Sequence, residues 1–148
     1  QPGKGYHRDR DPDAGGAPRL GITCILREHY VLCAPMDGFV RFAGTMEFSG
    51  LNHEIRPERV VQLTRAADEY LTGVGDVPSV SEWCGLRPCT SDGLPIIGPV
   101  PGQEGVFIAT GHAMLGLTLG PITGRLLAEW ILDGRPSVDL EAMRVDRF

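Results

Sequence analysis

Residues 83–100 read WCGLRPCTSDGLPIIGPV and carry an arginine, Arg87, through an apolar run that reads as buried. A buried guanidinium without a partner costs several kcal/mol, so a carboxylate of the protein or a bound ligand must pair with it. Pro88 keeps Arg87 extended and aims its side chain from a strand end. A guanidinium held in this way can grip a planar carboxylate with two parallel bonds. Two interpretations stay open: a bound carboxylate, or an internal ion pair with Asp92 or Glu82.

A second motif occupies residues 106–130, VFIATGHAMLGLTLGPITGRLLAEW. Its apolar start predicts a short strand buried on both faces, followed by a loop and a helix that begins near Thr118 or Pro121. The loop contains three glycines, Gly111, Gly116 and Gly120. Glycines let the backbone approach a ligand, and a first helical turn offers unpaired N–H groups and a positive dipole end, which suit an anionic group. The alternative is a turn that needs glycine only for its own shape.

The chain before residue 79 predicts three antiparallel strands and one helix. Residues 1–18 are rich in Gly, Pro, Asp and Arg, and the stretch DRDPDAGGAP at residues 9–18 is expected to form a loop. Strands are predicted at residues 20–27, 29–35 and 39–48, where β-branched and apolar runs are separated by charges and the Asp37-Gly38 pair favours a hairpin.

A surface helix is expected to begin at Pro57, a position where a missing N–H does no harm. Its apolar stripe has helical spacing and consists of Val60, Leu63, Thr64, Ala67 and Leu71. Gly73 and Gly75 are expected to end this helix.

The remainder predicts strands at residues 79–88, 94–100 and 106–111 and a closing helix. The inward face of that helix is predicted to contain Ile122, Leu126, Leu127, Trp130 and Ile131. Gly134 followed by Pro136 is a stop signal. The predicted fold class is α+β: a mostly antiparallel sheet with one surface helix, and a late strand-loop-helix unit of different character.

The composition narrows the range of possible functions. The chain has 148 residues, a formal net charge of -5 and four cysteines. The acidic balance argues against nucleic acid as a partner, and the cysteine spacings lack the tight pairs of a structural zinc site, so no metal is expected. Because no secretory signal or membrane span is evident, we expect a cytoplasmic domain with reduced thiols. Because the first residue is Gln1 and not methionine, we expect the sequence to be a piece of a longer protein.

The motifs GLRPCTSDGLPIIGPV and VFIATGHAMLGLTLGPITGRLLAEWILDGRP resemble the C-terminal portion of the FAD-dependent D-amino-acid oxidase and dehydrogenase (DAO) family, nearest to its bacterial D-amino-acid dehydrogenases. The resemblance extends upstream to PGKGYHRD and downstream to VDRF. It implies FAD as cofactor, a substrate-binding domain over residues 1–100, and a return to the FAD-binding domain over residues 101–148. The fingerprint G-x-G-x-x-G, which the family keeps at its N-terminus, does not occur here, so that N-terminal portion is an implied partner.

The resemblance also implies roles for individual residues. Arg87 matches the arginine that binds the substrate carboxylate. Met114 stands where glycine oxidase has a second arginine, which suits a substrate with a side chain. Tyr30 and Met46 lie on strands similar to the substrate-lining strands of the family, but core packing is the favoured interpretation for both. The flavin-facing loop is matched by Gly111, His112, Leu115, Gly116, Leu117 and Thr118, and His112 is expected to orient this loop instead of carrying a proton.

The implied reaction is oxidative deamination of a D-amino acid. Arg87 would hold the carboxylate while a hydride passes from Cα to flavin N5, and the imino acid would hydrolyse to a 2-oxo acid and ammonia. The alternatives are an enzyme for glycine, sarcosine or D-hydroxyproline, and a non-catalytic binding module. The implied partners are a small amino-acid substrate and an electron acceptor, quinone or O2, and the resemblance allows peripheral association with the inner face of a bacterial membrane. Alone, these residues are expected to be inactive.

Overall fold

The computed structural model describes residues 1–11, 13, 20–72 and 78–148. The strands are β1 (Pro2–Arg10), β2 (Cys24–Leu26), β3 (Val31–Met36), β4 (Phe39–Glu47), β5 (Ser79–Pro88), β6 (Ile96–Pro99) and β7 (Phe107–Thr110). The helices are α1 (Pro57–Asp68) and α2 (Gly116–Asp133), and short 3-10 turns occupy Ala113–Leu115 and Glu141–Met143. This mixed, mainly antiparallel architecture confirms the predicted fold class.

The chain forms two compact units. One contains Lys4–Leu86, and the other combines Gln1–Gly3 with Arg87–Phe148. The boundary expected near residue 100, between a substrate domain and a return to a cofactor domain, stays a prediction.

The Lys4–Leu86 unit is built on a five-stranded sheet in the order β2-β3-β4-β1-β5. No strand was predicted before residue 20, but Pro2–Arg10 form an inner strand that pairs antiparallel with β4. The predicted loop over residues 9–18 is therefore wrong for Asp9 and Arg10. Pro12 and residues 14–18 lie outside the described part of the chain.

Two bonding networks explain how such a polar segment can be an inner strand. Lys4 is fully buried, and its ammonium lies 2.6 Å from Asn52 Oδ1 and 3.3 Å from Glu47 Oε1. Asp9, also buried, accepts two 2.8 Å bonds from Arg41 on β4. Because Lys4 and Asp9 each have an opposite charge and hydrogen bonds, the desolvation cost of their burial is offset.

The carboxylate of Glu47 is the centre of the first network. Tyr6 donates to Glu47 Oε2 at 3.2 Å, and Arg59 Nε lies 3.2 Å from the same oxygen. Hydrogen bonds, of which that from Ser49 is the largest contribution and that from Lys4 the next, lower the pKa of Glu47 to about 2. Burial alone would lower the pKa of Lys4, but its bonds to Tyr6 and Glu47 outweigh burial and raise it.

The other strands of this sheet agree with the predictions in number: β5 has the predicted bounds, and the other three differ at their ends. β2 is much shorter than the predicted 20–27, while β3 and β4 lie within one or two residues of the predicted bounds. The Asp37-Gly38 hairpin is confirmed: Met36 pairs with Phe39, and Gly38 has a φ of 78°.

Helix α1 covers this sheet with the predicted face. Val60, Leu63, Thr64 and Ala67 are buried against residues of β1, β3 and β4, and Leu71 packs at the edge of the same cluster. Full burial of a side chain such as Leu63 contributes about 1.5–3 kcal/mol. The helix ends at Asp68, and the predicted terminators Gly73 and Gly75 lie outside the described residues.

In the second unit, α2 packs on the two-stranded sheet of β6 and β7. Ile97, Leu126 and Leu140 form its buried cluster, joined by Leu127 and Trp130. Gly98, with a φ of 142°, leaves room for the ring of Trp130, which lies 3.2 Å from where a Cβ would be. Gly134, in the left-handed conformation, ends α2 as predicted.

Two predictions about this unit are wrong. Ile122 and Ile131 were expected to face inward but are 43% and 55% exposed, because the buried stripe runs through Thr123 and Leu126. Strand β7 is half-buried instead of buried on both faces, since it pairs with β6 alone in its sheet. No helix in the described ranges is long and apolar enough to cross a membrane.

Candidate active site

The two sequence motifs pair along β6 and β7, and a further backbone pairing joins them close to Arg87 in the sequence. Cys89, two residues after Arg87, forms an isolated antiparallel bridge with His112. Both residues belong to the unit that contains Arg87–Phe148. The end of β5 that carries the arginine is therefore held beside the start of the glycine loop.

Arg87 is half-buried. Burial, the largest influence, lowers the pKa of its guanidinium from the usual value. The two acids considered as internal partners are bonded to other arginines. Glu82 lies 3.1 Å from Arg8 Nε, and Asp92 accepts bonds of 2.7 and 3.0 Å from Arg147.

Residues 83–100 as a whole are less buried than their sequence suggested. Cys84, Ile97 and Gly98 are buried, whereas Trp83 is exposed. The apolar residues of this stretch are therefore only partly used to build a core.

Several hydrogen bonds hold the turn that follows Arg87. Thr90 Oγ1 donates to the carbonyl of Leu94 at 2.7 Å, and the amide of Leu94 donates to Asp92 Oδ1 at 3.1 Å. Arg147, next to the last residue of the chain, donates to the Leu94 carbonyl at 2.8 Å as well as to Asp92. Its bonds hold the pKa of Asp92 well below the usual range.

Gly111 lies against this turn and requires glycine for two reasons. Its φ is 80°, and a Cβ added there would lie 2.7 Å from Thr90 Cγ2. The close approach packs the glycine loop onto the segment that follows Arg87.

The loop then turns into α2 with its backbone exposed. Ala113 has a φ of 47°, an uncommon conformation for a residue with a Cβ. Helix α2 begins at Gly116, earlier than predicted, and its first turn has no side-chain cap and no acidic residue. All five residues from Met114 to Thr118 are exposed. Because the first N–H groups of a helix have no partner inside it, this end can receive an electron-rich group.

His112 joins the loop to the helix. Its Nε2 lies 2.9 Å from the hydroxyl of Thr123, which is buried on the inward face of α2. The ring is thus bonded to the helix and the backbone is bridged to Cys89, while the orienting role expected of His112 stays a prediction.

The three remaining predicted site residues lie in different places. Met114 is in the loop, 70% exposed. Tyr30 is not on a strand: it ends the turn before β3, with a φ of 53° and 73% exposure. Met46 is on β4, in an irregular segment where the register with β1 shifts. Core packing, the favoured interpretation for Tyr30 and Met46, is wrong, since neither side chain is in the buried clusters.

Sequence reasoning missed three residues that shape this site: Cys89, Thr90 and Thr123. Cys89 and Thr90 show no signal in the sequence, because their importance comes from contacts with distant residues. Thr123 does show one: it stands three, four and seven positions before Leu126, Leu127 and Trp130, so the helical stripe could have been extended to it.

The matches to known proteins agree with this geometry. Residues 1–130 match the model of the family described as "FAD dependent oxidoreductase", DAO. The chain belongs to this family. Its cofactor is FAD, and the uncapped start of α2, with its exposed backbone and nearby glycines, fits a flavin edge that carries negative charge.

Curated relatives include a D-amino acid dehydrogenase of Granulibacter bethesdensis, 34% identical over 128 residues, which are 86% of this chain and 30% of that protein. A glycine oxidase of Pseudomonas aeruginosa is 39% identical over 103 residues, 70% of this chain and 28% of that protein. The crystal structure of a glycine oxidase from Geobacillus kaustophilus superposes with a TM-score of 0.83 at 26% identity, covering 99% of this chain and 39% of that one. The chain thus spans about a third of the length of the relatives it matches.

Proposed function

We propose that this chain is the C-terminal part of an FAD-dependent enzyme that oxidatively deaminates D-amino acids. The observation that carries the proposal is the bridge between Cys89 and His112, because it holds the Arg87 end of β5 beside the loop assigned to the flavin. Several relatives named D-amino acid dehydrogenase, at 34–36% identity, support the substrate class.

In this proposal the residues of the chain bind and orient. The guanidinium of Arg87 grips the substrate carboxylate with two parallel bonds, which fixes the direction of the Cα–H bond. The first turn of α2 presents N–H groups where negative charge develops during the reaction. FAD, when bound, supplies the acceptor for the hydride that leaves Cα.

The orientation of the loop depends on His112. Its bond to Thr123 and the bridge to Cys89 fix the ring and the backbone together. The residue thereby contributes to positioning, and no proton transfer is assigned to it.

Replacing Arg87 with alanine in the full-length protein tests the proposal. The expected result is a rise in the KM for a D-amino acid of about 10²- to 10⁴-fold, since each of the two hydrogen bonds to a charged group contributes about 1.5–3 kcal/mol. The flavin absorption spectrum should not change. Arg144→Ala is the matched control, because Arg144 is an exposed arginine of the same unit that pairs with Asp146. A KM equal to that of the wild type in Arg87→Ala would refute the role of Arg87.

A second candidate, an enzyme for glycine or its N-substituted derivatives, has specific support. The glycine oxidase of Pseudomonas aeruginosa is the 39% identical relative, and solved structures of the same fold include an iminodiacetate oxidase at 27% identity. Met114 argues against it, since an apolar side chain there suits a substrate that has a side chain of its own. Turnover of D-amino acids, glycine, sarcosine and D-hydroxyproline with an artificial acceptor dye separates the candidates.

We also propose that the remaining N-terminal portion of the enzyme supplies most of the FAD site, so the chain alone binds FAD weakly or not at all. The electron acceptor is proposed to be a quinone or O2, in a cytoplasmic enzyme that associates peripherally with the inner membrane face if quinone is used. Steady-state assays with each acceptor, and fractionation of cells into membrane and soluble parts, test these points.

A further inference from the structure

Two of the four cysteines face each other across β2 and β3. Cys24 and Cys33 are direct partners in the antiparallel register. Partners in such a pair project to the same face of the sheet, and both side chains meet the cluster beneath α1: Cys33 belongs to it and Cys24 packs against it.

The spacing of cross-strand partners suits a covalent bond between them. Directly opposite residues have Cβ atoms about 4.5–5.5 Å apart and Cα atoms about 4.5–5.5 Å apart. A disulfide needs Cα atoms about 4.4–6.8 Å apart and Cβ atoms about 3.5–4.5 Å apart. Small movements of the side chains and strands would therefore close the bond.

The two thiols are reduced but in contact. All four cysteines are free. Burial, and after it the charge and hydrogen bond of Cys24, raises the pKa of the Cys33 thiol to about 12. Cys33 is completely buried, whereas Cys24 is half-buried. An oxidant would therefore reach Cys24 first, and Cys33 would remain a neutral thiol until then.

We infer that Cys24 and Cys33 form a reversible disulfide when the protein meets hydrogen peroxide. The sulfur of Cys24 attacks the O–O bond; an S–O bond forms, water leaves, and Cys24 becomes a sulfenic acid. The sulfur of Cys33 then attacks the sulfur of Cys24; the S–O bond breaks, and the hydroxyl leaves as water with the Cys33 proton. Overall, two thiols and one peroxide give one disulfide and two waters, and a dithiol reductant reverses the change.

The disulfide between Cys24 and Cys33 would constrain the edge of the sheet. It would join β2, the outermost strand of the order β2-β3-β4-β1-β5, to its neighbour and enclose the turn that contains Tyr30. The inference does not depend on the proposed function.

Peptide mapping of the full-length protein tests the inference. Trypsin cuts after Arg19, Arg27 and Arg41, which places Cys24 in residues 20–27 and Cys33 in residues 28–41. After treatment with hydrogen peroxide and blocking of free thiols, we expect most of both peptides to be lost and a linked pair to appear, which dithiothreitol releases. Cys84 and Cys89 share the peptide 66–125, because Pro88 blocks cleavage after Arg87, and should stay alkylated as an internal control.

Single variants test the order of steps. In Cys33→Ser, the linked pair should be absent and Cys24 should be trapped by dimedone as a sulfenic acid. In Cys24→Ser, Cys33 should remain alkylatable after peroxide. The inference is overturned if both wild-type peptides stay fully alkylated, if the link joins two protein molecules on a non-reducing gel, or if Cys33 is oxidised in Cys24→Ser.

Discussion

Replacing Gly111 with alanine should destabilise the protein through two separable costs. The first is conformational: the φ of Gly111 is 80°, and the left-handed region costs a residue with a Cβ about 1–2 kcal/mol. The second is steric, because the new Cβ would lie 2.7 Å from Thr90 Cγ2, far inside the optimal carbon separation of about 3.5–4.0 Å. Overpacking of this kind costs about 1–3 kcal/mol, so the expected loss is about 2–5 kcal/mol.

The methyl group of Thr90 cannot easily rotate away. The hydroxyl of Thr90 donates to the Leu94 carbonyl at 2.7 Å, which fixes the side-chain rotamer. Gly93 offers a matched control, because its φ is 78° and an added Cβ would meet no atom within 4 Å. Gly93→Ala should therefore show the conformational cost alone, about 1–2 kcal/mol.

Urea unfolding of the full-length protein, followed by fluorescence, measures both losses. Thr90→Ser removes the obstructing methyl but keeps the hydroxyl, so it should recover the steric part when combined with Gly111→Ala. Equal losses for Gly111→Ala and Gly93→Ala, or no recovery in the double variant, would refute the packing of the glycine loop on Thr90. The same variants should be ranked in the same order by FAD affinity if this packing positions the flavin loop.

Three further predictions concern hydrogen bonds. Thr123→Val keeps the shape of the side chain but loses the hydroxyl bonded to His112, so it should shift the reduction potential of bound FAD. Thr123→Ser should restore that potential. An unchanged potential in Thr123→Val would argue against positioning of the loop through His112. Glu47 has a folded-state pKa of about 2, below its ordinary 4.5, so the stability it contributes is present above pH 4.5 and is lost as the pH falls toward 2. Urea unfolding at several pH values should therefore show a free energy of unfolding that depends less on pH in Glu47→Gln than in the wild type across that window. Arg147→Ala removes the bonds to Asp92 and should raise the pKa of that carboxyl toward its usual value, as NMR titration would detect; a pKa that stays depressed would contradict the assigned cause.

The sequence predicted the elements whose apolar pattern is regular. The stripe of α1, the Asp37-Gly38 hairpin and the stop at Gly134 depend on local preferences, and each is found. β1 was missed because its stability depends on partners distant in sequence. Lys4 and Asp9 look like loop residues until Glu47 and Arg41 on β4 neutralise them.

The site was predictable to the extent that its residues lie in specific motifs. The sequence indicated the loop from Gly111 to Thr118 and the arginine at Arg87 without the contact between them. That contact consists of the bridge from Cys89 to His112 and the packing of Gly111 against Thr90, and neither leaves a mark in side-chain types. The same reason explains why Thr90 was missed. Its importance comes from two contacts that only the folded chain creates: its methyl group lies against Gly111, and its hydroxyl donates to the Leu94 carbonyl.

The direction of the arginine pKa shifts distinguishes Arg87 from the arginines that serve the fold. Carboxylate partners raise the pKa of Arg41 and Arg147, through bonds to Asp9 and Asp92. The pKa of Arg87 is lowered, with burial as the largest cause. Burial lowers the pKa of a guanidinium because it disfavours the charged form, and it also strengthens the Coulomb attraction between that charge and any carboxylate. Arg41 and Arg147 thus neutralise acids of the fold, whereas burial is the largest influence on the pKa of Arg87, for which we propose the substrate carboxylate as ligand.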